Sequence, residues 1–153
     1  MSQLDELYRQ VILDHYRNPR RRGTLGIDHI HAEGTNPSCG DEFAIDVAID
    51  HGIITDAAMQ GQGCSISQAS GSMMMDAIVG KSVEEVEDLI HRFKVMMTIE
   101  EGVDPLEGDR PGAALGDLEA LQGVKQFPVR IKCADLPWAT LQDALHQVER
   151  AGT

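Results

Sequence analysis

The sequence predicts an α+β fold, in which several helices pack against a small three-stranded antiparallel sheet within a single domain spanning residues 1–153. Three observations support this prediction. The length suits one hydrophobic core. Residues 42–49 alternate with a period of two, which indicates a half-buried strand. Helical periodicity occurs before and after the strand region rather than interleaved with it, so the helices and the sheet are segregated.

The first predicted element is an amphipathic helix over residues 2–16. Ser2 followed by Asp5 forms a capping signal at its start. Asn18-Pro19 ends the helix, because a residue before proline disfavours the helical conformation. The apolar residues that recur at helical spacing are Leu4, Leu7, Tyr8, Val11, Ile12 and Tyr16.

A cluster of arginines follows this helix within six positions. Cations are favoured near a helix C-terminus, so a solvated basic patch is the plainer interpretation. The formal charge of the whole chain is −12, and the alternative is a docking spot for an acidic partner surface. The cluster comprises Arg17, Arg20, Arg21 and Arg22.

The sheet is predicted as a short antiparallel meander. Its clearest strand covers residues 42–49, and Asp50-His51-Gly52 is a hairpin signal. A second strand follows at 53–60 and a further strand precedes it near 31–36. The apolar side chains of the central strand, on one face, are Phe43, Ile45, Val47 and Ile49.

Helices are predicted after the sheet. The first covers residues 65–79 and ends at Gly80, and its run of three methionines from Met73 is expected in the core. Residues 82–85 read as a capping box that opens a second helix.

The C-terminal third is interrupted by glycine, proline and acidic residues at 100–116, which predict an irregular loop. A short helix is expected at 117–122, closed by Gly123. Leu136-Pro137 is expected to separate the segment around Cys133 from a final amphipathic helix that begins at Trp138.

Charge and motifs exclude several functions. A chain of charge −12 repels phosphate backbones and anionic lipid, so we expect neither nucleic acid nor membrane as a partner. The sequence has no apolar stretch of about 20 residues and no signal pattern in residues 1–8, which predicts a cytoplasmic protein with reduced thiols. It also lacks the glycine-rich loops that bind nucleotides.

The stretch "NPSCGDEFAIDVAID" at residues 36–50 suggests a site where a turn becomes a strand. If the extended conformation continues backwards from Phe43, Cys39 and Asp41 project to the same side as the buried face. An aspartate at the edge of a core is costly unless it is paired or bound to a cation. A cation between this thiol and carboxylate would remove that cost.

Two other cysteines could complete such a site. Cys64 lies where a strand leaves through glycines and a helix begins, and a helix N-terminus stabilises a thiolate. With Cys133 there are three thiols and one carboxylate, the number of ligands that Zn²⁺ takes in tetrahedral sites. The spacings form no recognised zinc signature, so buried structural thiols remain the alternative. We expect each of the six histidines to lie at the surface or on a helix face rather than to bind a metal.

Three motifs make the sequence resemble a known family. "NPSCGDEFAIDVAI", "GQGCSISQASGSMM" and "VRIKCADLPW" resemble the cysteine motifs of the IscU/NifU-like iron–sulfur cluster assembly scaffold family. Lys132 stands where the IscU branch has histidine, and a glycine- and acid-rich insertion occupies about residues 100–123. Both features are similar to the SufU branch.

The resemblance implies a three-stranded SufE/NifU-like sheet and a zinc site made by Cys39, Asp41, Cys64 and Cys133. It further implies a zinc-dependent sulfur acceptor and carrier that takes persulfide sulfur from a pyridoxal-phosphate cysteine desulfurase of the SufS type and delivers it to downstream iron–sulfur assembly proteins. Cys39 would be the persulfide acceptor, displaced when a desulfurase histidine takes its place on the metal.

Two points are left open by these residues. Arg130 could attract the anionic persulfide or be a solvated charge, while Lys132 is cationic and a poor metal ligand. The alternative function is a scaffold that assembles and transfers a [2Fe–2S] cluster on the same ligands, because soft thiolates suit both zinc and iron–sulfur centres.

Overall fold

Three strands form one antiparallel sheet in the order β1-β2-β3, as predicted. The strands are β1 Ile30–Asn36, β2 Asp41–Asp50 and β3 Ile53–Gln62. In the β2–β3 hairpin, His51 and Gly52 both have positive φ, 52° and 78°, as the predicted tight hairpin requires. The computed structural model describes residues 3–26, 29–37, 40–102 and 115–150.

The helices pack mainly on one side of this sheet. They are α1 Gln3–Arg17, α2 Ser65–Ile78, α3 Val83–Met96, a 3₁₀ helix at Gly116–Gln126, and α4 Pro128–Arg150. On the inner face of β2, Asp41, Phe43, Ile45 and Val47 are buried as the alternation predicted. Asp46 and Ala48 on the other face are buried as well, so the strand is not half-exposed along its whole length. The predicted α+β fold with a single domain is therefore confirmed.

Helix α2 lies close to the sheet because one of its residues has no side chain. A Cβ on Gly71 would lie 2.6 Å from Cε2 of Phe43. The methionines at 73–75 are buried in the core as predicted. The predicted capping box of α3 is also present, since Ser82 and Glu85 exchange hydrogen bonds of 3.1 Å.

The prediction that Leu136-Pro137 separates two segments is wrong. Helix α4 continues through Pro137, although proline removes a helical hydrogen bond. The ring of Trp138 stacks on Phe93 at 4.5 Å between centroids, and its Nε1 donates to Oγ of Ser70 at 3.1 Å. Burial of this side of α4 outweighs the local cost of the proline.

One further expectation needs correction. The helix predicted at 117–122 is a 3₁₀ helix that runs past Gly123. It also provides a partner for His15, which lies on the buried face of α1 with 1% exposure. The ring of His15 contacts Oγ of Ser72 at 2.8 Å and Oδ2 of Asp117 at 2.9 Å. The loop predicted at 100–116 falls largely outside the described residues, and the boundaries of the insertion at 100–123 stay a prediction.

The arginine cluster after α1 has a structural role that neither interpretation anticipated. Three of its four members bind other parts of the chain and hold this segment against α1, α2 and β3. The partners are Asp14 and Asp76 for Arg20, Asp56 for Arg21, and the Gly61 carbonyl for Arg22. No helix in the described part of the chain is long and apolar enough to span a membrane.

The packing of α4 leads to a stability prediction. Trp138→Ala leaves a cavity beside Phe93, and we expect it to lower the free energy of unfolding by about 3–5 kcal/mol. Asp143→Ala, at an exposed position of the same helix, is expected to change it by less than about 0.5 kcal/mol. Urea unfolding followed by circular dichroism measures both, and equal effects would contradict the packing described here.

Candidate metal centre

Asp41 is the first residue of β2 and points to the buried face, with 1% exposure. Its Oδ1 accepts the backbone N–H of Cys64 at 2.8 Å, and its Oδ2 lies 3.6 Å from Sγ of Cys64. The described residues offer the carboxylate no other hydrogen-bond or ion-pair partner. A buried carboxylate in such surroundings is costly unless a cation compensates it.

Cys64 lies at the N-cap of α2, as its place after the glycines predicted. Its thiol is half-buried and lies 3.9 Å from Oγ of Ser67. The sulfur therefore lies at the N-terminal, positive end of the dipole of α2.

A glycine allows the approach of Asp41 to Cys64. Gly63 has φ of +141°, a conformation that side chains rarely adopt, and a Cβ there would collide with the carboxylate of Asp41. One of the glycines that precede Cys64 in the sequence is therefore needed for this close contact.

Cys133 reaches the site from the first half of α4 and is fully buried. The side-chain amide of Asn36, at the end of β1, points at its sulfur with Nδ2 to Sγ of 4.0 Å. Sequence reasoning missed Asn36. Its only signal was the position directly before Pro37 in the first cysteine motif.

The three side chains converge on one point. Ligand atoms of Asp41, Cys64 and Cys133 all lie within 4.8 Å of one another, the only such group of His, Cys, Asp or Glu side chains in the described ranges. Two thiols and a carboxylate that is otherwise uncompensated form a donor set that suits zinc. Cys39 lies outside the described residues, so its place in the site and its predicted shared face with Asp41 stay predictions.

Arg130 is not among the converging groups. It is exposed on the first turn of α4, one turn before Cys133. It lines a cleft of about 750 Å³ together with Ile12, Ile66 and Phe127. Because Ser65 and Ile66 also line this cleft, it opens beside the start of α2, next to Cys64.

The fold and the site together describe a small α+β protein with a thiolate and carboxylate metal centre between the sheet and two helices. Residues 7–134 match the family model described as the NifU-like N terminal domain. The chain therefore belongs to the NifU-like N-terminal domain family.

Relatives in this family match over nearly the whole chain. The zinc-dependent sulfurtransferase SufU of Bacillus subtilis is 46% identical over 97% of this chain and 95% of its own length. The iron-sulfur cluster assembly scaffold protein IscU of Streptococcus pyogenes serotype M1 is 40% identical over 99% of this chain and 90% of its own.

A solved structure has the same fold. It is the putative iron-sulfur cluster assembly scaffold protein for the SUF system from Fervidobacterium islandicum AW-1, with a TM-score of 0.78 and 34% identity. The match covers 89% of this chain and 94% of that one.

The collision at Gly63 leads to a prediction with a matched control. Gly63→Ala should displace Asp41 and weaken Zn²⁺ binding at least about tenfold, as loss of a well-oriented ligand does. Gly23 has nearly the same φ, +139°, but open space where a Cβ would lie. Gly23→Ala therefore introduces only the strain of a side chain at positive φ, without a collision. It should leave the affinity for Zn²⁺ unchanged. Competition with a chromogenic chelator measures both, and equal affinities would show that the contact with Asp41 is unimportant.

Proposed function

We propose that this protein serves iron–sulfur cluster assembly as a zinc-dependent sulfur acceptor and carrier. The observation that carries the proposal is the convergence of Asp41, Cys64 and Cys133. The relative from Bacillus subtilis, a zinc-dependent sulfurtransferase, supports the same activity, since it matches 97% of this chain.

Cys39, Asp41, Cys64 and Cys133 would hold the metal. Zinc would keep the thiols deprotonated at neutral pH without redox chemistry of its own. Cys133 is fully buried, and together with Cys64 it would anchor the ion, while Asp41 would stay as a ligand. In the sequence Cys39 stands between Ser38 and Gly40, two positions before β2 begins at Asp41.

Sulfur transfer is a thiol exchange at Cys39. Its thiolate attacks the outer sulfur of a persulfide on the partner's cysteine. The sulfur–sulfur bond of the partner breaks, a new one forms on Cys39, and the partner's cysteine leaves as a thiolate. The sulfane sulfur moves between two thiolates, so no external oxidant or reductant is needed.

The partner would be a pyridoxal-phosphate cysteine desulfurase of the SufS type, since that class forms a cysteine persulfide from free cysteine. The recipient would be a downstream iron–sulfur assembly protein. Arg130, which lines the cleft beside the start of α2, would attract the anionic persulfide. Free thiolates require a reducing compartment, which the cytoplasm provides.

A substitution at Cys39 tests the transfer. We expect Cys39→Ser to abolish the increase in cysteine-dependent sulfide release that the protein gives its desulfurase. Mass spectrometry without reductant should find an added sulfur on Cys39 of the unmodified protein. His51→Gln, at an exposed position of the β2–β3 turn, should behave as wild type. Full stimulation by Cys39→Ser would overturn the mechanism.

A second pair of variants tests the metal site. Asp41→Ala removes a ligand and leaves the N–H of Cys64 without its acceptor, which costs about 1–3 kcal/mol of stability. We expect it to be isolated with much less zinc. Glu42→Ala, the exposed neighbour whose carboxylate accepts from Gln62, should keep one zinc per chain. Metal analysis of both proteins decides, and zinc retained by Asp41→Ala would exclude Asp41 as a ligand.

A second candidate function is a scaffold that assembles and transfers a [2Fe–2S] cluster on the same ligands. It is favoured by the Streptococcus pyogenes relative, an iron-sulfur cluster assembly scaffold protein that matches 99% of this chain. Anaerobic loading with iron and sulfide discriminates between the two. A stable cluster chromophore that passes to an apo-ferredoxin would support the scaffold, and failure to replace zinc would support the sulfur carrier.

A further inference from the structure

Asn36 is a buried amide beside the metal centre that is not itself one of the four ligands. It is the last residue of β1 and is 8% exposed. Across the β1–β2 ladder it is paired directly with Asp41, the first residue of β2. Residues that are directly opposite on one face of a sheet have Cβ atoms about 4.5–5.5 Å apart. The register therefore places an amide next to the carboxylate of the metal centre.

The amide of Asn36 is directed at a sulfur atom. Its Nδ2 lies 4.0 Å from Sγ of Cys133, which is 97 residues further along the chain. The sulfur of a neutral thiol is a weak acceptor, whereas hydrogen bonds to ionised groups are shorter and roughly twice as strong. Ionisation of Cys133 on binding a metal would therefore draw this amide closer to the sulfur.

The sulfur of Cys64 has different neighbours. It lies 3.6 Å from Oδ2 of Asp41 and 3.9 Å from Oγ of Ser67. The hydroxyl of Ser67 donates to the carbonyl of Cys64 at 3.1 Å, so its hydrogen is directed away from the sulfur. The two cysteines that the structure describes are therefore unlike, with an amide donor beside Cys133 and a carboxylate beside Cys64.

We propose that Asn36 is a positioning residue, which keeps Cys133 as a metal anchor while sulfur is transferred to Cys39. A hydrogen bond from the amide withdraws charge from the thiolate and lowers its nucleophilicity, on which the rate of attack on a persulfide depends. Because the amide is neutral, it does this without placing a second positive charge beside the metal. The inference rests on the proposed zinc-dependent sulfur transfer, and it names a residue that distinguishes between the thiolates.

Asn36→Leu removes the donor and keeps a side chain of similar size. We expect the affinity for Zn²⁺ to fall at least about tenfold, as loss of a partner behind a metal ligand does. Competition with a chromogenic chelator measures this change. Asn36→Ala removes the same donor with less bulk, and it replaces the leucine variant if that variant does not fold.

Cobalt reports on the sulfur atom itself. In protein loaded with Co²⁺ in place of Zn²⁺, we expect Asn36→Leu to move the thiolate-to-cobalt charge-transfer band to longer wavelength. A sulfur without its hydrogen bond gives up electrons more readily, and the intensity should stay the same because no sulfur ligand is lost. A role of Asn36 in the shape of the turn alone would not move the band.

Alkylation tests the distinction between the thiolates. After treatment of the zinc-loaded protein with iodoacetamide, peptide mapping should show a higher ratio of alkylated Cys133 to alkylated Cys64 in Asn36→Leu than in the wild type. General loosening of the site would raise both cysteines alike. An unchanged ratio would contradict a specific effect on Cys133.

Gln68→Leu is the matched control. Gln68 is also a buried amide with 8% exposure, but its side chain accepts a hydrogen bond from Arg22. It should keep the wild-type affinity and band position. Wild-type values in Asn36→Leu, or the same changes in Gln68→Leu, would overturn the role of Asn36 and leave the proposed function standing. Full stimulation of the desulfurase by Cys39→Ser, by contrast, would overturn the sulfur transfer itself.

Discussion

The hydrogen bond from the backbone N–H of Cys64 to the carboxylate of Asp41 is the contact on which the centre depends. It joins the first residue of β2 to the N-terminus of α2, two elements that approach there only because Gly63 has no side chain. The same contact holds the negatively charged carboxylate of Asp41 in a buried position at the edge of the hydrophobic core. A positive ion would turn this unfavourable burial into a stabilising interaction, so metal binding and local folding are coupled.

The sheet separates the molecule into two chemical environments. On its inner face, Asp41 lies beside Cys64 and Cys133 among apolar side chains, and soft thiolates dominate. On its outer face, Asp46 lies beside His29 and His31 and accepts from the segment after α1. Because neighbouring residues of one strand point to opposite faces, β2 supplies a carboxylate to each face without bringing the two carboxylates into contact.

Much of the fold was predictable because its signals are local. The alternation in β2 predicted that Asp41 faces inward, and the glycines before Cys64 predicted a helix N-terminus at that thiol. The continuation of α4 through Pro137 was not predictable, since it depends on stacking of Trp138 on Phe93, 45 residues earlier in the chain.

The long-range contacts of the site could not be predicted from the sequence either. Asn36 and Cys133 are 97 residues apart, and the pairing of Asn36 with Asp41 requires the strand register. The role of Cys39 as sulfur acceptor was inferred from the cysteine motifs that resemble a known family. Strand parity alone showed only that Cys39 could lie on the same face as Asp41.

The central claim is that three thiols and one carboxylate hold zinc at this junction. X-ray absorption at the zinc edge, on protein carrying one zinc per chain, measures it most directly. The account predicts three sulfur neighbours at about 2.3 Å and one oxygen at about 2.0–2.2 Å, with one sulfur lost in Cys39→Ser. Two sulfurs in both proteins, or a zinc bound mainly by nitrogen, would contradict it.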